Sequence, residues 1–475
     1  MEKEWIKRMQ AAADEEKPPE AGRILGERVR WSGRMQEAAR LWQRVYEGDP
    51  PWLEDGRVKG MNLLPVIAGE VARLAVLEMG WQIKGSGRAA FLSRQLEPVR
   101  RRLRRYLEYA VGKGGLVLKP YLAGDQIQVE LVQPDGFVPL ETGPDGQLCG
   151  AVFWEQQRRG RRFFTRLEEH RLTDRGALVI NRAFVSGQAG QLGQETSLQA
   201  VPAWERLTPA ALLPGRTRPL FVYLAMPFGN AVEPECPLGV SIGAGAMALL
   251  EEADRQYSRL LWEFEGGELA VDADSTYLSG GRMPQTTRRL FRSLNTGADF
   301  YHVYNPAFRD ESLRAGLNEL LRRIEFACGL SYGILSDPGQ RELTATEIIS
   351  ARQRLFSTVK EVQTVLQQAL DRLLEVMDYW AELLPGVPAG GYQAQYRWDD
   401  SILADTAAEK NQFLQEIAAG VRQPWEFRVR FLGETEQQAR AACQGGPAGR
   451  ISEDLAGLRK KTSGTQQATA AGENA

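Results

Sequence analysis

A run of 45 residues, Gln340 to Leu384, contains neither glycine nor proline, and it directly follows a segment, Gly329 to Gly339, that holds Gly329, Gly333, Pro338 and Gly339. Within the run Ile348, Leu355, Val359, Val362, Leu366, Leu370, Leu373, Met377, Trp380 and Leu384 recur mostly at three- and four-residue steps. That spacing marks one face of a helix. Thr344-Ala345-Thr346-Glu347 has the form of a capping box, in which the hydroxyl takes a free amide of the first turn and the glutamate reaches back to another. Pro385-Gly386 supplies a stop. From Thr344 to Leu384 the helix would rise about 60 Å. Such a length spans or assembles something, and the preceding segment reads as a mobile loop on which the helix hangs.

The rest of the chain reads as several folding units. Its 475 residues, 43% of them hydrophobic, are enough for two to four cores. A net charge of −2 does not announce a nucleic-acid binder, although a neutral total can hide strong local fields. Cys149, Cys236, Cys328 and Cys443 lie 87 or more residues apart, which gives neither a metal knuckle nor a disulfide framework, so a reducing compartment is expected. The first residues, MEKEWIKRMQAAADEEK, lack the apolar core of a secretion signal. The stretch between Glu235 and Glu251 is too short and too broken by Pro237 and glycines to span a membrane, and a soluble protein is expected.

Residues 1–60 are charged and helix-prone and read as an arm packed on something else. Met61 to Ala110 reads as mostly helical. From Gly115 to about Gln188 short β-type runs take over, including Leu116 to Leu118, Ile127 to Val132, Ala151 to Trp154 and Leu178 to Ile180, separated by Gly-Asp, Pro-Asp-Gly and Arg-Gly turns. A Pro-rich connection, Pro202 to Pro237, leads back to helix. Two amphipathic helices, about Ser241 to Glu265 and Glu311 to Cys328, then bracket an insert, Gly266 to Asp310. The insert reads as strand (Leu269 to Val271), short helix (Thr287 to Leu294) and strand (Phe300 to Tyr304). It can pack little core of its own, which hints that neighbouring subunits complete its faces.

Several segments in this order resemble the portal proteins of tailed bacteriophages, in particular those of siphophages of Gram-positive bacteria often labelled minor capsid proteins. They are Pro237 to Ser241, Tyr257 to Glu263, Phe308 to Asp310, Leu321 to Phe326, Gly329 to Gly333 and Thr344 to Glu347, with Leu118 to Tyr121, Asp135 to Pro139 and Thr165 to Glu168 upstream. The resemblance runs from about Asn62 to Asp400. It implies an α+β portal fold assembling as a ring, usually of twelve subunits, at one capsid vertex. Its parts would be an N-terminal arm (1–60), a sheet-rich wing (61–240), stem helices (241–265 and 311–330), a small α/β clip (266–310), a tunnel loop (331–343), a long helix to the wing (344–384), a wing strand (385–404), a helical crown (405–443) and a tail (444–475). The tail's last residues, Lys461 to Ala475, have a disordered composition.

The implied function is mechanical: a conduit for double-stranded DNA during packaging and ejection, with no cofactor and no catalysis. The implied partners are the terminase large subunit, which would hydrolyse ATP, the major capsid or scaffold protein, and a head-completion adaptor. The implied location is the virion, after assembly in the bacterial cytoplasm. A conduit holds DNA without gripping it, since strong phosphate contacts would slow sliding. The loop offers a near-neutral polar set, Ser331, Ser336, Asp337, Gln340, Arg341 and Glu342, as candidate DNA-facing residues. The clip carries Arg282, Arg288, Arg289 and Arg292 as candidate partner contacts. Without the resemblance, the loop is an exposed connection between helices and the arginines a solvated face. The run Arg100 to Arg105 lies over an apolar stripe of Leu96, Val99, Leu103, Leu107 and Ala110, and is expected to be the outer face of a surface helix.

Enzyme motifs are weak. Val111 to Gly115 lacks the spacing of a Walker loop and reads as a turn. His170 and His302, the only histidines, have no partner at ligand spacing and read as ordinary strand or loop residues. Asp399-Asp400 reads as a turn or cap. Asp272 and Asp274 could share one side of a strand and hold Mg²⁺, which keeps a metal-dependent nuclease as an alternative. A second alternative is a passive capsid scaffold or head-tail adaptor without a conduit.

Overall fold

The computed structural model describes residues 32–54, 56–143, 146–266, 270–274, 291–294, 301–304, 307–338, 345–398, 406–432 and 434–444; of these, 270–274, 291–294, 301–304, 345–352, 406–409 and 444 are described by backbone alone. The chain divides into two units, one ending at residue 399 and one beginning at residue 400. The fold is mixed α+β.

The first unit opens with α1 (Gly33–Tyr46), capped by Ser32, whose hydroxyl accepts from the Met35 amide at 3.2 Å. Met35 and Trp42 insert into a core with Val117, Phe137, Phe153 and Phe221. The surface on which the described part of the arm packs is therefore this chain's own sheet-rich body. α2 (Leu63–Val76) buries Leu64, Ile67, Ala68, Val71 and Ala72. Next comes β1 (Met79–Gly85), a strand inside the region expected to be mostly helical. α3 (Gly87–Lys113) follows and buries the expected stripe from Leu96 to Ala110.

Two antiparallel sheets form the body. β2 (Gly115–Ala123) lies between β3 (Gln126–Val132) and β10 (Val222–Ala225), the latter in the Pro-rich connection. The second sheet runs β4 (Phe137–Thr142), β5 (Leu148–Arg159), β6 (Arg162–Thr173), β7 (Gly176–Ser186), β8 (Gln194–Thr196), with β9 (Ala210–Pro214) also on β7. The four β-type runs expected between Gly115 and Gln188 all fall inside these strands.

α4 (Met247–Gly266) and α5 (Asp310–Ala327) pack as a pair. Between them β11 (Ala270–Asp274) pairs in parallel with β12 (Phe291–Leu294) and antiparallel with β13 (Tyr301–Tyr304). The expected helix Thr287 to Leu294 is thus a strand over its last four residues. Pairing with β11 satisfies the backbone there and overrides the local helical pattern; residues 287–290 lie outside the described set.

α6 (Ala345–Leu383), 39 residues long, packs against α2, α3, β2, β3 and β10. Val359, Val362, Leu366, Leu370, Leu373 and Met377 are fully buried. Gln363, also buried on this helix, donates to Ala75 O at 3.2 Å. β14 (Tyr392–Trp398) then pairs antiparallel with β1, Met79 opposite Trp398. Tyr396 and Trp398 hold the ribbon to α6 through Asp371 and Gln367, each at 2.8 Å.

The second unit is helical: α7 (Thr406–Ala418), α8 (Pro424–Leu432) and α9 (Glu436–Gln444). Phe413, Phe427 and Phe431 cluster at its centre, with centroids 4.8 to 6.0 Å apart. No helix among the described residues is long and apolar enough to cross a membrane.

Candidate functional site

The segment after α5 turns back through Gly329, whose φ of +67° places it in the left-handed region, and the Leu330 amide returns to Glu325 O at 2.8 Å. A side chain at 329 could not fit, because its Cβ would lie 2.4 Å from Thr358 Oγ1 on α6. That hydroxyl instead donates to Gly329 O at 3.0 Å. Near the same junction Arg354 of α6 stacks over the exposed Phe326 ring at 4.0 Å. From Ala345 to Thr358, α6 extends about 20 Å.

Beyond Gly329 the loop is seated on α5 by one carboxylate. Glu325 is fully buried; its Oε1 accepts from the Leu335 and Ser336 amides at 2.6 and 2.9 Å, and its Oε2 from Ser336 Oγ at 2.7 Å. Asn318 adds a second clamp, accepting from the Asp337 amide at 2.7 Å and donating to Asp337 O at 3.1 Å, with Arg322 donating to the same carbonyl at 3.3 Å. A buried carboxylate surrounded by three donors is costly to disturb, since removing it strands every one of them. Residues 331–338 are therefore pinned where sequence reading expected mobility. Cys328, buried beside the turn, has its thiol pushed up to about 12 by burial, which keeps it protonated and inert.

Of the six loop candidates, Ser336 is buried and spends its hydroxyl on Glu325, so it is not presented to solvent. Ser331 is half-buried and Asp337 exposed. Gln340, Arg341 and Glu342 lie outside the described residues, as do Arg282, Arg288 and Arg289. Arg292 sits on β12 opposite Asp272 of β11, and Asp272 also pairs with His302 across the tip sheet. Asp399 and Asp400 are not described.

The basic run on α3 divides. Arg101, Arg102, Arg104 and Arg105 are exposed as expected, whereas Arg100 is half-buried and packs over Trp81 at 5.0 Å; the exposed Arg102 also donates to Val129 O at 3.3 Å. Arg100 and Arg102 therefore tie the helix to β1 and β3.

Sequence reading also missed an ionic cluster in the sheet-rich body. Lys119, nearly buried, bridges Glu130 at 2.9 Å and Glu168 at 3.1 Å, and Glu168 also takes Arg166 at 3.1 Å and His170 Nε2 at 2.7 Å. Burial pushes the Glu168 carboxyl up, but the His170 hydrogen bond and the charges of Lys119, His170 and Arg166 outweigh it and hold the group well below the usual carboxylate range. His170 is thus a buried partner, not an ordinary strand residue. A polar cleft of about 260 Å³ opens beside the cluster, lined by Lys119, Glu130, Asp135, Glu155, Arg166 and Glu168. Its four carboxylates against two cations leave it acidic. Among the described residues no group of three or more His, Cys, Asp or Glu side chains is placed to hold a metal ion.

No protein-family model matches the chain, and no curated protein matches it. Among solved structures, the neck of a native GTA particle computed with C12 symmetry is similar over 86% of this chain and 96% of that chain, at 14% identity and a TM-score of 0.43.

Proposed function

We propose that the chain is the subunit of a phage portal ring, a non-enzymatic conduit through which duplex DNA passes during packaging and ejection. The reading rests on the sequence resemblance and on one observation: a loop seated by Glu325 lies between the second helix of a strand-tipped hairpin and a helix that runs back through the body's core. A conduit needs a loop that is held at its root and presented in the same place by every subunit, because a lining that flops would grip DNA unevenly. The Glu325 and Asn318 clamps supply that root. In this reading the hairpin is the stem, its three-stranded end is the clip that meets the terminase and the head-completion adaptor, and α7 to α9 are the crown. Twelve copies is the expected number.

The test is to purify the protein, weigh it by light scattering and image it by electron microscopy. Closed rings near twelve times 53.0 kDa with a central hole wide enough for duplex DNA are expected. Compact oligomers without a hole would refute the conduit and favour an adaptor. In an infectious phage, Arg341→Ala is expected to lower packaging and make it more salt-sensitive; unchanged packaging would remove Arg341 from the lining. Divalent-dependent cleavage of plasmid DNA by the pure protein would overturn the non-enzymatic reading and point to Asp272 and Asp274.

A further inference from the structure

β5 and β6 meet in a two-residue turn whose tip, Arg158-Arg159-Gly160-Arg161-Arg162, is arginine at every position but one. All of these residues are exposed. Gly160 takes the first place of the turn at φ +62°, a conformation that suits the twist of the two strands, so the tip is held by the ladder behind it. Side chains alternate between the two faces of a strand. Arg158 lies opposite Phe163 and packs over its ring at 5.7 Å, while Arg159 and Arg162, one step further on, stand directly across from one another on the other face. Positive charge is thus presented on both faces and at the turn itself.

This charge has no counterpart among the described residues. Arg158 donates to Gly160 O at 3.1 Å and Arg159 to Ala200 O at 2.8 Å, both neutral carbonyls, and none of these arginines pairs with a carboxylate there. The nearest carboxylate along either strand, Glu155, is already taken by Arg166 at 3.3 Å and Trp204 Nε1 at 3.2 Å. Like charges placed directly opposite one another destabilise a strand pair, so the hairpin gains nothing from Arg159 facing Arg162. Solubility would be served as well by mixed signs, as on α9, where Arg440 meets Glu436 at 2.7 Å. An anion from outside the chain completes the arrangement.

The kind of anion follows from what else is exposed there. Among the described residues no large apolar side chain between Tyr121 and Leu212 is exposed, so the tip lacks the aromatic or aliphatic anchor on which a protein partner closes. Its flank is polar: the Gly190 amide donates to Gln156 Oε1 at 3.3 Å, which brings the loop after β7, with its exposed Gln188 and Gln191, alongside β5. Arginine, glutamine and backbone amides are the donors that phosphate oxygens take, and a DNA duplex offers one charge per about 1.7 Å of its axis whatever its sequence. We propose that the β5–β6 turn is a nucleic-acid contact, in which Arg158, Arg159, Arg161 and Arg162 engage the phosphodiester backbone of a duplex without reading its bases. The contact is separate from the loop after α5 and does not depend on the conduit reading.

The test is fluorescence anisotropy of a labelled DNA duplex of arbitrary sequence titrated with the full chain at several salt concentrations. Arg161→Ala combined with Arg162→Ala removes two contacts; the slope of log affinity against log salt should shallow by about 1.8, and counterion release of about 15-fold per contact at 50 mM salt should cost about 200-fold in affinity there. Neither side chain makes a contact among the described residues, so circular dichroism should show intact folding; Arg161→Gln with Arg162→Gln replaces the pair if it does not. Arg161→Lys with Arg162→Lys keeps the charge and should keep the slope. Arg94→Ala with Arg104→Ala on α3 makes the same change in net charge at other exposed positions and should leave it unaltered. A wild-type chain that does not bind the duplex at 50 mM salt, a turn variant within threefold of the wild type, or an equal loss in the α3 variant would overturn the inference. Unlabelled duplex DNA and duplex RNA share the backbone chemistry, and the stronger competitor identifies the source; polyglutamate that displaces the duplex as well at equal charge would instead assign the turn to an acidic protein and overturn the proposal. Loss of this contact in intact rings with a central hole leaves the conduit standing. Turn-dependent binding by a protein that forms no such ring keeps this contact and removes the conduit.

Discussion

Replacing Glu325 by alanine removes the acceptor for three donors at once, the Leu335 and Ser336 amides and the Ser336 hydroxyl. Hydrogen bonds to a charged group are worth about 1.5–3 kcal/mol each, but the carboxylate's own desolvation, which folding no longer has to overcome, offsets part of that sum. A net loss of about 3–5 kcal/mol in the docking of residues 331–338 is a fair figure, and at about 1.4 kcal/mol per tenfold it corresponds to about a hundredfold to a few thousandfold. The loss is local, because α5 and α6 keep their own cores. It should therefore appear first in native-state hydrogen exchange at the Leu335 and Ser336 amides, which report opening of this segment alone. Glu325→Gln keeps one acceptor oxygen, and its amide can donate to Ser336 Oγ, so exchange should rise by only about tenfold, near 1–2 kcal/mol. Exchange in Glu325→Ala within threefold of the wild type would refute the claim that this carboxylate seats the loop.

Gly329→Ala forces a left-handed backbone on alanine, at about 1–2 kcal/mol, and drives its Cβ into Thr358 Oγ1; the unfolding midpoint should fall, and fall less when Thr358→Ala is added than the two single losses predict. Trp42→Ala should cost about 3–5 kcal/mol in chemical denaturation if α1 belongs to the core of the sheet-rich body, whereas a loosely docked arm would show almost none. Glu168 has a folded-state pKa below its unfolded value, so its contribution is present above about pH 4.5 and is lost as pH falls toward the folded value. Glu168→Gln should therefore flatten the acid side of the stability profile by up to about 1.4 kcal/mol per pH unit, and an unchanged slope below pH 4.5 would contradict the ion cluster.

The long helix was legible because its period is sustained for ten turns without a breaker, and its buried face is the one the spacing marks. The strands between Gly115 and Ser186 were legible from alternation and turn residues. β1 was not: Met79-Gly80-Trp81-Gln82-Ile83-Lys84-Gly85 carries two glycines and only a short alternation, and the strand that completes it lies more than 300 residues away. The loop's seat was hidden for a different reason. Glu325 sits next to Ile324 in a helix where Leu317, Leu321 and Ile324 are buried, so on a helical wheel it looks like an edge residue. Its value depends on Leu335 and Ser336 folding back over it. The available signal was a carboxylate beside a buried stripe just before a glycine turn, which points to donors arriving from the following segment. Ser336 was misjudged by the same gap, since a polar residue in a polar loop is read as solvent-facing until something buried is found to claim it.

The pairing of β1 with β14 has a consequence for how this chain is made. At about 5–20 residues per second, a ribosome that has released Met79–Gly85 needs about 15–60 seconds more to deliver Tyr392–Trp398. For that interval the nascent chain carries a strand with no partner, and Trp81, which ends up stacked on Tyr396, lacks its lid. Unpaired edges recruit other chains, and in a crowded polysome many copies would display the same open edge. Among the described residues the last strand to emerge thus closes the first one made, and a chain cut short before residue 392 would lose not a surface ribbon but its protection against its own siblings.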